Sequence, residues 1–316
     1  MRDIFGDAQI DTSYNKYFTW DRFYDLKWDL TKSLKFDFSA VNNARIDEPY
    51  GKINTEEKRD SIWESIEHLG RNTHYFHTMN LNYALPINKI PIFDWVTARA
   101  SYGADYDWLT APLNLDTLGN TIRNSQNIRF NADGNLRAFY NKVGFIRKAT
   151  APKPPPQPGR RPGPGGDERA EGAQADTTEA EERGTHPAVR GLLNVITALK
   201  RVAFTYNESH NTTLPGWMPN TQFLGLDDDN INAPGFAFIA GLQPDTNDLN
   251  EYANRGFITT AQSLNAQFQQ VGTKSWDIKA NLEPFPEMRL DLNWKYSKGK
   301  NFSEYFRMDS LGNYRH

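Results

Sequence analysis

The amino-acid sequence predicts an all-β chain: an antiparallel transmembrane β-barrel segment with long extracellular loops and a disordered periplasmic insert. Three observations carry this expectation. Two hairpins alternate an apolar face with a charge-paired face, eight runs share the period of two, and the connections between them alternate in length.

The first hairpin is the clearest. Tyr24, Leu26, Trp28 and Leu30 alternate with Asp25, Lys27 and Asp29; after Thr31-Lys32-Ser33, Leu34, Phe36, Phe38 and Ala40 alternate with Lys35, Asp37 and Ser39. Folding about Lys32 sets Asp29 opposite Lys35 and Lys27 opposite Asp37. Cross-strand pairs of opposite charge favour that register, and a slip of one residue would invert every side chain.

Further strands are expected at 22–30, 34–42, 74–85, 94–106, 122–134, 201–209, 274–282 and 288–297. Most match the roughly 9–11 residues that a tilted strand needs to cross a bilayer. In the last hairpin, a register centred on 283–287 places Lys279 opposite Asp291. Connections 31–33, 86–93 and 283–287 are short, whereas 43–73, 107–121 and 210–273 are long. Short turns on the periplasmic side and long loops outside are the barrel pattern. Connection 135–200 breaks the pattern, being long on the periplasmic side.

That exception divides the chain into barrel strands and loops over 1–148, a linker over 149–190, and barrel strands and loops over 191–316. The linker is Pro-rich, then acidic, and holds no aromatic residue, so it cannot bury enough apolar surface to offset its conformational entropy. After it, Leu192, Val195, Ile196 and Leu199 fall on one helical face. In loop 43–73, Asn54 and Glu57 suggest a capping box. Ile62, Trp63, Ile66 and Leu69 suggest a helical stripe, closed by Gly70.

Composition agrees with strands rather than helices. The mean hydropathy is −0.72, and a barrel strand gives lipid only every second residue. Aromatic residues make up 13%, including 14 Tyr and 8 Trp, which suits interfacial girdles. The 39 acidic and 36 basic residues nearly cancel, which argues against nucleic acid as a partner. Cysteine is absent, excluding disulfides and thiolate chemistry. The first residues carry no apolar run of signal-peptide type, so the chain is expected to be an interior piece of a longer one.

Searching for chemistry returns little. His74 and His77, three apart in a strand, point to opposite faces and cannot share a metal ion. Residues Asp227 to Asn230 suggest a calcium loop, but Asn232 and Phe238 stand where Gly and Glu are needed. Glu208 and Glu251 can be imagined as a glycosidase pair, but nothing in the sequence brings them together. No catalytic constellation, cofactor fingerprint or metal-ligand set is expected, and the chain is read as a non-enzyme.

The two faces therefore hold the expected function. Trp28, Phe36, Phe38, Val96, Tyr102, Ile278, Leu292 and Trp294 are assigned to lipid. Lys27, Asp29, Lys35, Asp37, Arg99, Asp105, Lys279, Arg289 and Asp291 are assigned to a lumen. Mixed charge of both signs suits a wide hydrated passage better than an ion-selective pore. Trp95, Tyr106, Trp276, Trp294 and Tyr296, near strand ends, are read as interfacial belts against the alternative of a soluble β-sandwich.

Several long stretches resemble one family. They are RFYDLKWDLTKSLKFDFSAVNNARIDEPYG (22–51), LPINKIPIFDWVTARASYGADYDWLTAP (85–112), 119–133, 200–226, 234–245 and DIKANLEPFPEMRLDLNWKYS (277–297). These are similar to the SprA/Sov family, the outer-membrane translocon of the Bacteroidetes type IX secretion system, which is linked to gliding motility. The resemblance implies a very large single-chain outer-membrane barrel, of which this chain supplies a minority of strands. It also implies passage of folded cargo proteins with C-terminal signal domains from periplasm to cell surface. The implied partners are a PorV-type outer-membrane protein and a periplasmic plug protein, alternating at a wide, laterally opening pore. The Pro-rich and acidic insert over 151–182 departs from the family pattern. Competing readings are a nutrient transporter or porin-like barrel, and a carbohydrate-binding or hydrolytic β-protein presenting Trp217 and the acidic loop.

Overall fold

A computed structural model describes residues 16–49, 51–150, 195–222, 224–227, 233–285, 287–309 and 313–315. All eight expected strands form: β1 (Tyr17–Asp29), β2 (Leu34–Asp47), β3 (Arg71–Leu85), β4 (Val96–Leu109), β5 (Asn120–Asn135), β6 (Leu199–Trp217), β7 (Phe268–Phe285) and β8 (Met288–Glu304). They pair antiparallel in sequence order as one sheet. The described sheet is open-ended, since β1 pairs only with β2 and β8 only with β7. No helix among the described residues is long and apolar enough to cross a membrane.

The register joins the two faces across the whole sheet. One transverse row runs Lys27, Asp37, Asn80, Gly103, Asn127, Ser209, Thr273 and Gly299. The row beside it begins Trp28, Phe36, Leu81, Tyr102 and Ile128. Lys27 faces Asp37 and Asp29 faces Lys35, as the alternation requires. The Lys35–Asp29 ion pair closes at 3.2 Å.

The β7–β8 register differs from expectation. It shifts between Leu282 and Phe285, which pairs with Met288, so the turn is tighter than a hairpin centred on Phe285. Lys279 consequently faces Asn293 and not Asp291, whose partner is Asn281. Glu287, with φ of 68°, takes the left-handed conformation that such a tight turn requires.

Strands are also longer than the alternation suggested, from 13 residues in β1 to 19 in β6. The extra length lies on the side of the long connections. There the sheet's apolar face is covered by connection 218–267, which carries α4 (Phe236–Ile239) and α5 (Thr246–Asn254). Tyr75, Tyr106, Trp108, Ile122, Leu214 and Trp217 of the sheet form one core with Phe238, Leu249 and Ile258 of the cover. Each large side chain so buried contributes about 1.5–3 kcal/mol.

The remaining helices are peripheral. α1 (Glu56–Glu67) is capped by Thr55, whose hydroxyl accepts from the Lys58 amide, rather than by Asn54. Gly70, at φ 75°, ends the turn beyond it, its amide donating to the Ser65 carbonyl. Of the expected stripe, Ile62 and Ile66 are half-buried while Trp63 and Leu69 are exposed. α2 (Leu136–Lys142) and α3 (Gly144–Thr150) follow β5. A helical turn at 195–198 precedes β6, but it exposes Val195 and Ile196 and buries Thr197 and Ala198. Leu192, the insert from 151 onward and residues 228–232 lie outside the described residues.

Candidate functional site

The mostly polar face spans all eight strands and carries many of its charges in pairs. Arg201 meets Asp133 at 2.7 Å, His74 meets Asp107 at 2.6 Å, and Arg289 meets Asp291 at 3.6 Å. Ser125 donates to Asp105 at 2.6 Å, and Arg129 donates to Asn207 at 2.9 Å. Pairs this exposed contribute little stability, ~0–1 kcal/mol each. Their consequence is a face without a dominant sign, interrupted by one apolar row of Phe23, Val41 and Phe76, of which Phe23 is 70% and Phe76 36% exposed.

Every residue assigned to a lumen lies on this face: Lys27, Asp29, Lys35, Asp37, Arg99, Asp105, Lys279, Arg289 and Asp291 share its parity. Every residue assigned to lipid lies on the other face. Val96 begins a row through Gly134, Val202, Ala280 and Leu292, and Ile278 stands beside Trp294. Trp28, Leu292 and Trp294 are 58%, 50% and 55% exposed. His74 and His77 point to opposite faces, the first to Asp107, the second to the Ile239 carbonyl at 3.0 Å.

The apolar face does not remain apolar along the whole strand. Its exposed band ends at a row of Tyr206, Trp276 and Tyr296, with the last two rings 5.5 Å apart. Beyond that level, β2 to β6 lie under connection 218–267. Tyr102 marks the boundary, donating its hydroxyl to the Ala240 carbonyl at 2.5 Å. Tyr106, expected in an interfacial belt, is instead 1% exposed beneath the cover. Trp217, offered above as a carbohydrate platform, is fully buried against Tyr252 and Phe257.

No protein-family model and no curated protein matches the chain. Geometry alone therefore describes the site. It consists of a mostly polar face, an apolar band behind it, and a polar zone above that band. Alternation pointed to the first two. The third escaped it because both faces are polar over Glu208 to Thr213, so no contrast marks which side is covered. The one sequence signal for it is the set of three lysines Lys274, Lys298 and Lys300 following the aromatic residues of β7 and β8.

Proposed function

We propose that this chain is part of a protein-conducting outer-membrane channel. In this reading it is a segment of a type IX secretion translocon that passes folded cargo with C-terminal signal domains to the cell surface. The polar face lines the passage, the apolar band meets outer-membrane lipid, and further strands close the barrel from the edges of β1 and β8. A PorV-type outer-membrane protein and a periplasmic plug protein are the proposed partners.

The observation that carries this reading is the pair of faces, one mostly polar and the other apolar over its exposed band. Across all eight strands, one face presents only short polar or charge-paired side chains at the level of Lys27 to Gly299. A folded cargo slides past a mostly polar wall on which Phe23, Val41 and Phe76 form the one apolar row noted above, and water fills what the cargo leaves. The long family-like segments named above supply the specific cargo class.

The test is the secretome of cells lacking the gene that encodes the chain, with periplasm and medium compared by mass spectrometry. Cargo bearing C-terminal signal domains accumulates in the periplasm if the reading is right. Normal secretion with failed uptake of a nutrient would make the chain part of a transporter barrel instead.

A further inference from the structure

We infer that the zone above the apolar band on β6 to β8 is a binding site for the phosphate group of a membrane lipid. This rests on the reading of the sheet as an outer-membrane wall and adds to it a site with defined residues.

Rows of side chains order the site. The aromatic row Tyr206–Trp276–Tyr296 is followed, one step of about 6.6 Å along the strands, by Glu208–Lys274–Lys298. The next row is His210–Gly272–Lys300. A cavity of about 410 Å³ opens here, lined by His210, Lys274, Lys298 and Lys300, with Gln243 and Phe302 at its rim. Gly272 makes the space: a Cβ there would come within 2.9 Å of the His210 ring. The cover walls the cavity on one side. Thr212 donates to Gln243 at 2.5 Å, and Gln270 donates to the Pro244 carbonyl at 2.7 Å.

Charge accounting gives the ligand its sign. No carboxylate is among the described residues that line the cavity; Glu208, beside it, is already engaged by Lys274 at 2.6 Å, His210 at 2.8 Å and the Tyr206 hydroxyl at 2.5 Å. Neither Lys298 nor Lys300 has an ion-pair partner among the described residues. Moreover, Lys298 stands directly opposite Lys274. Like charges across a strand pair repel, so the arrangement gains from an anion set between them.

Position gives the ligand its source. Trp and Tyr rings settle at the level of lipid headgroups, with lysines reaching from strand flanks toward the phosphates. Trp276, 42% exposed, and Tyr296, 44% exposed, lie one step below the lysines, where acyl chains would run. The cavity suits a phosphate carried on a headgroup, with its tails leaving over the aromatic row.

The test uses the intact outer-membrane protein in mild detergent, with native mass spectrometry as the readout. Phosphatidic acid and the diacylglycerol of the same acyl chains serve as probes, with inorganic phosphate as a third. Phosphatidic acid is expected to bind about tenfold or more tightly than the diacylglycerol, the worth of one charge-assisted hydrogen bond. A Lys298→Ala/Lys300→Ala variant loses that preference, the Arg/Arg variant at the same positions keeps it, and Lys295→Ala on the polar face leaves it unchanged. Equal binding of the two lipids, or a preference indifferent to the Ala pair, would overturn the site. Inorganic phosphate binding as tightly as the lipid would make it a free-anion site and overturn the lipid source. Recovery of the protein in the soluble fraction would overturn the membrane reading itself, which the other outcomes leave standing.

Discussion

The side-chain amide of Asn124, buried near the start of β5, donates to the carbonyl of Phe238 at 3.0 Å and to that of Leu242 at 2.7 Å. The Gln243 amide returns to the Asn124 oxygen at 3.2 Å. One side chain thus closes both ends of a helical turn onto the sheet. Replacing it with Leu keeps the volume but removes these three hydrogen bonds from a dry interface, while the Phe238 carbonyl keeps the Gly241 amide and the Gln243 amide keeps the Gly241 carbonyl. A loss of roughly 2 kcal/mol or more in local stability is expected. Hydrogen exchange should show residues 236–243 deprotected while β3 and β4 keep their protection. Unchanged protection would mean that the apolar contacts alone hold the cover.

Gly241 tests the same cover by shape. Its φ is 87°, and a Cβ there would sit 2.5 Å from the Ser125 carbonyl oxygen and 2.9 Å from the Ala104 methyl. Gly241→Ala therefore meets a backbone cost of about 1–2 kcal/mol and a clash with main chain that cannot rotate away. Gly256, at φ 75°, has no atom within 4 Å of such a Cβ. Gly256→Ala should cost only the backbone part. Limited proteolysis of connection 218–267 is expected to accelerate strongly for the first variant and slightly for the second; equal acceleration would remove the steric argument.

Tyr252 gives the cover an alkaline limit. Burial, with help from Asp248 and Glu251, pushes its hydroxyl from the ordinary 10.0 up to about 12. Below pH 10 folded and unfolded chains both hold the proton. Between those two values the unfolded chain releases it and the folded one does not, so stability falls as pH rises, by on the order of 2 kcal/mol. The Tyr252 hydroxyl also donates to the Pro234 carbonyl at 3.1 Å. Tyr252→Phe should cost about 1 kcal/mol at neutral pH and make the decline above pH 10 shallower. Denaturation measured across pH 8–12 checks this, and an alkaline limb of unchanged slope would assign the decline to other tyrosines.

How much of this was legible depends on contrast between faces. In β1 and β2, Lys27 against Trp28 and Asp37 against Phe36 name both the strand and its register. In the upper half of β6, Ser209 and Asn211 alternate with His210 and Thr212, and the sequence shows a strand end where the sheet continues to Trp217. The cover was illegible for a related reason. Leu226, Phe238, Leu249 and Phe257 are too widely spaced to form a period, and only tertiary packing gathers them into one core. The β7–β8 register failed by two residues because the tight turn at Glu287, not the centre of the Pro-containing stretch, sets it. The lysine zone combines both difficulties, being polar on both faces and defined by three strands at once.

The proposed topology places α1 outside the cell and the turn after β3 in the periplasm. The chain has no cysteine, so single introduced thiols report without background from it. Asp60 in α1 and Lys89 beyond β3 are both exposed. On intact cells, an impermeant maleimide should label Asp60→Cys and spare Lys89→Cys until the outer membrane is permeabilised. The opposite pattern would invert the orientation while leaving both faces as they are.

An open sheet of this kind carries its own prediction. Among the described residues, the outer edges of β1 and β8 present unpaired amides and carbonyls, and in the proposed membrane setting lipid would offer those groups no partner. Each unsatisfied group in hydrocarbon costs several kcal/mol. Strands of 13 and 17 residues at the two edges multiply that cost. The 316-residue chain alone is therefore expected to aggregate edge to edge or to stay unfolded in detergent, and to give no steady conductance in a planar bilayer. Supplying the strands that close the sheet should restore heat-resistant folding and a conducting species. A monomeric, stably conducting pore from the 316 residues alone would mean that β1 and β8 find each other, and the passage would then be too narrow for folded cargo.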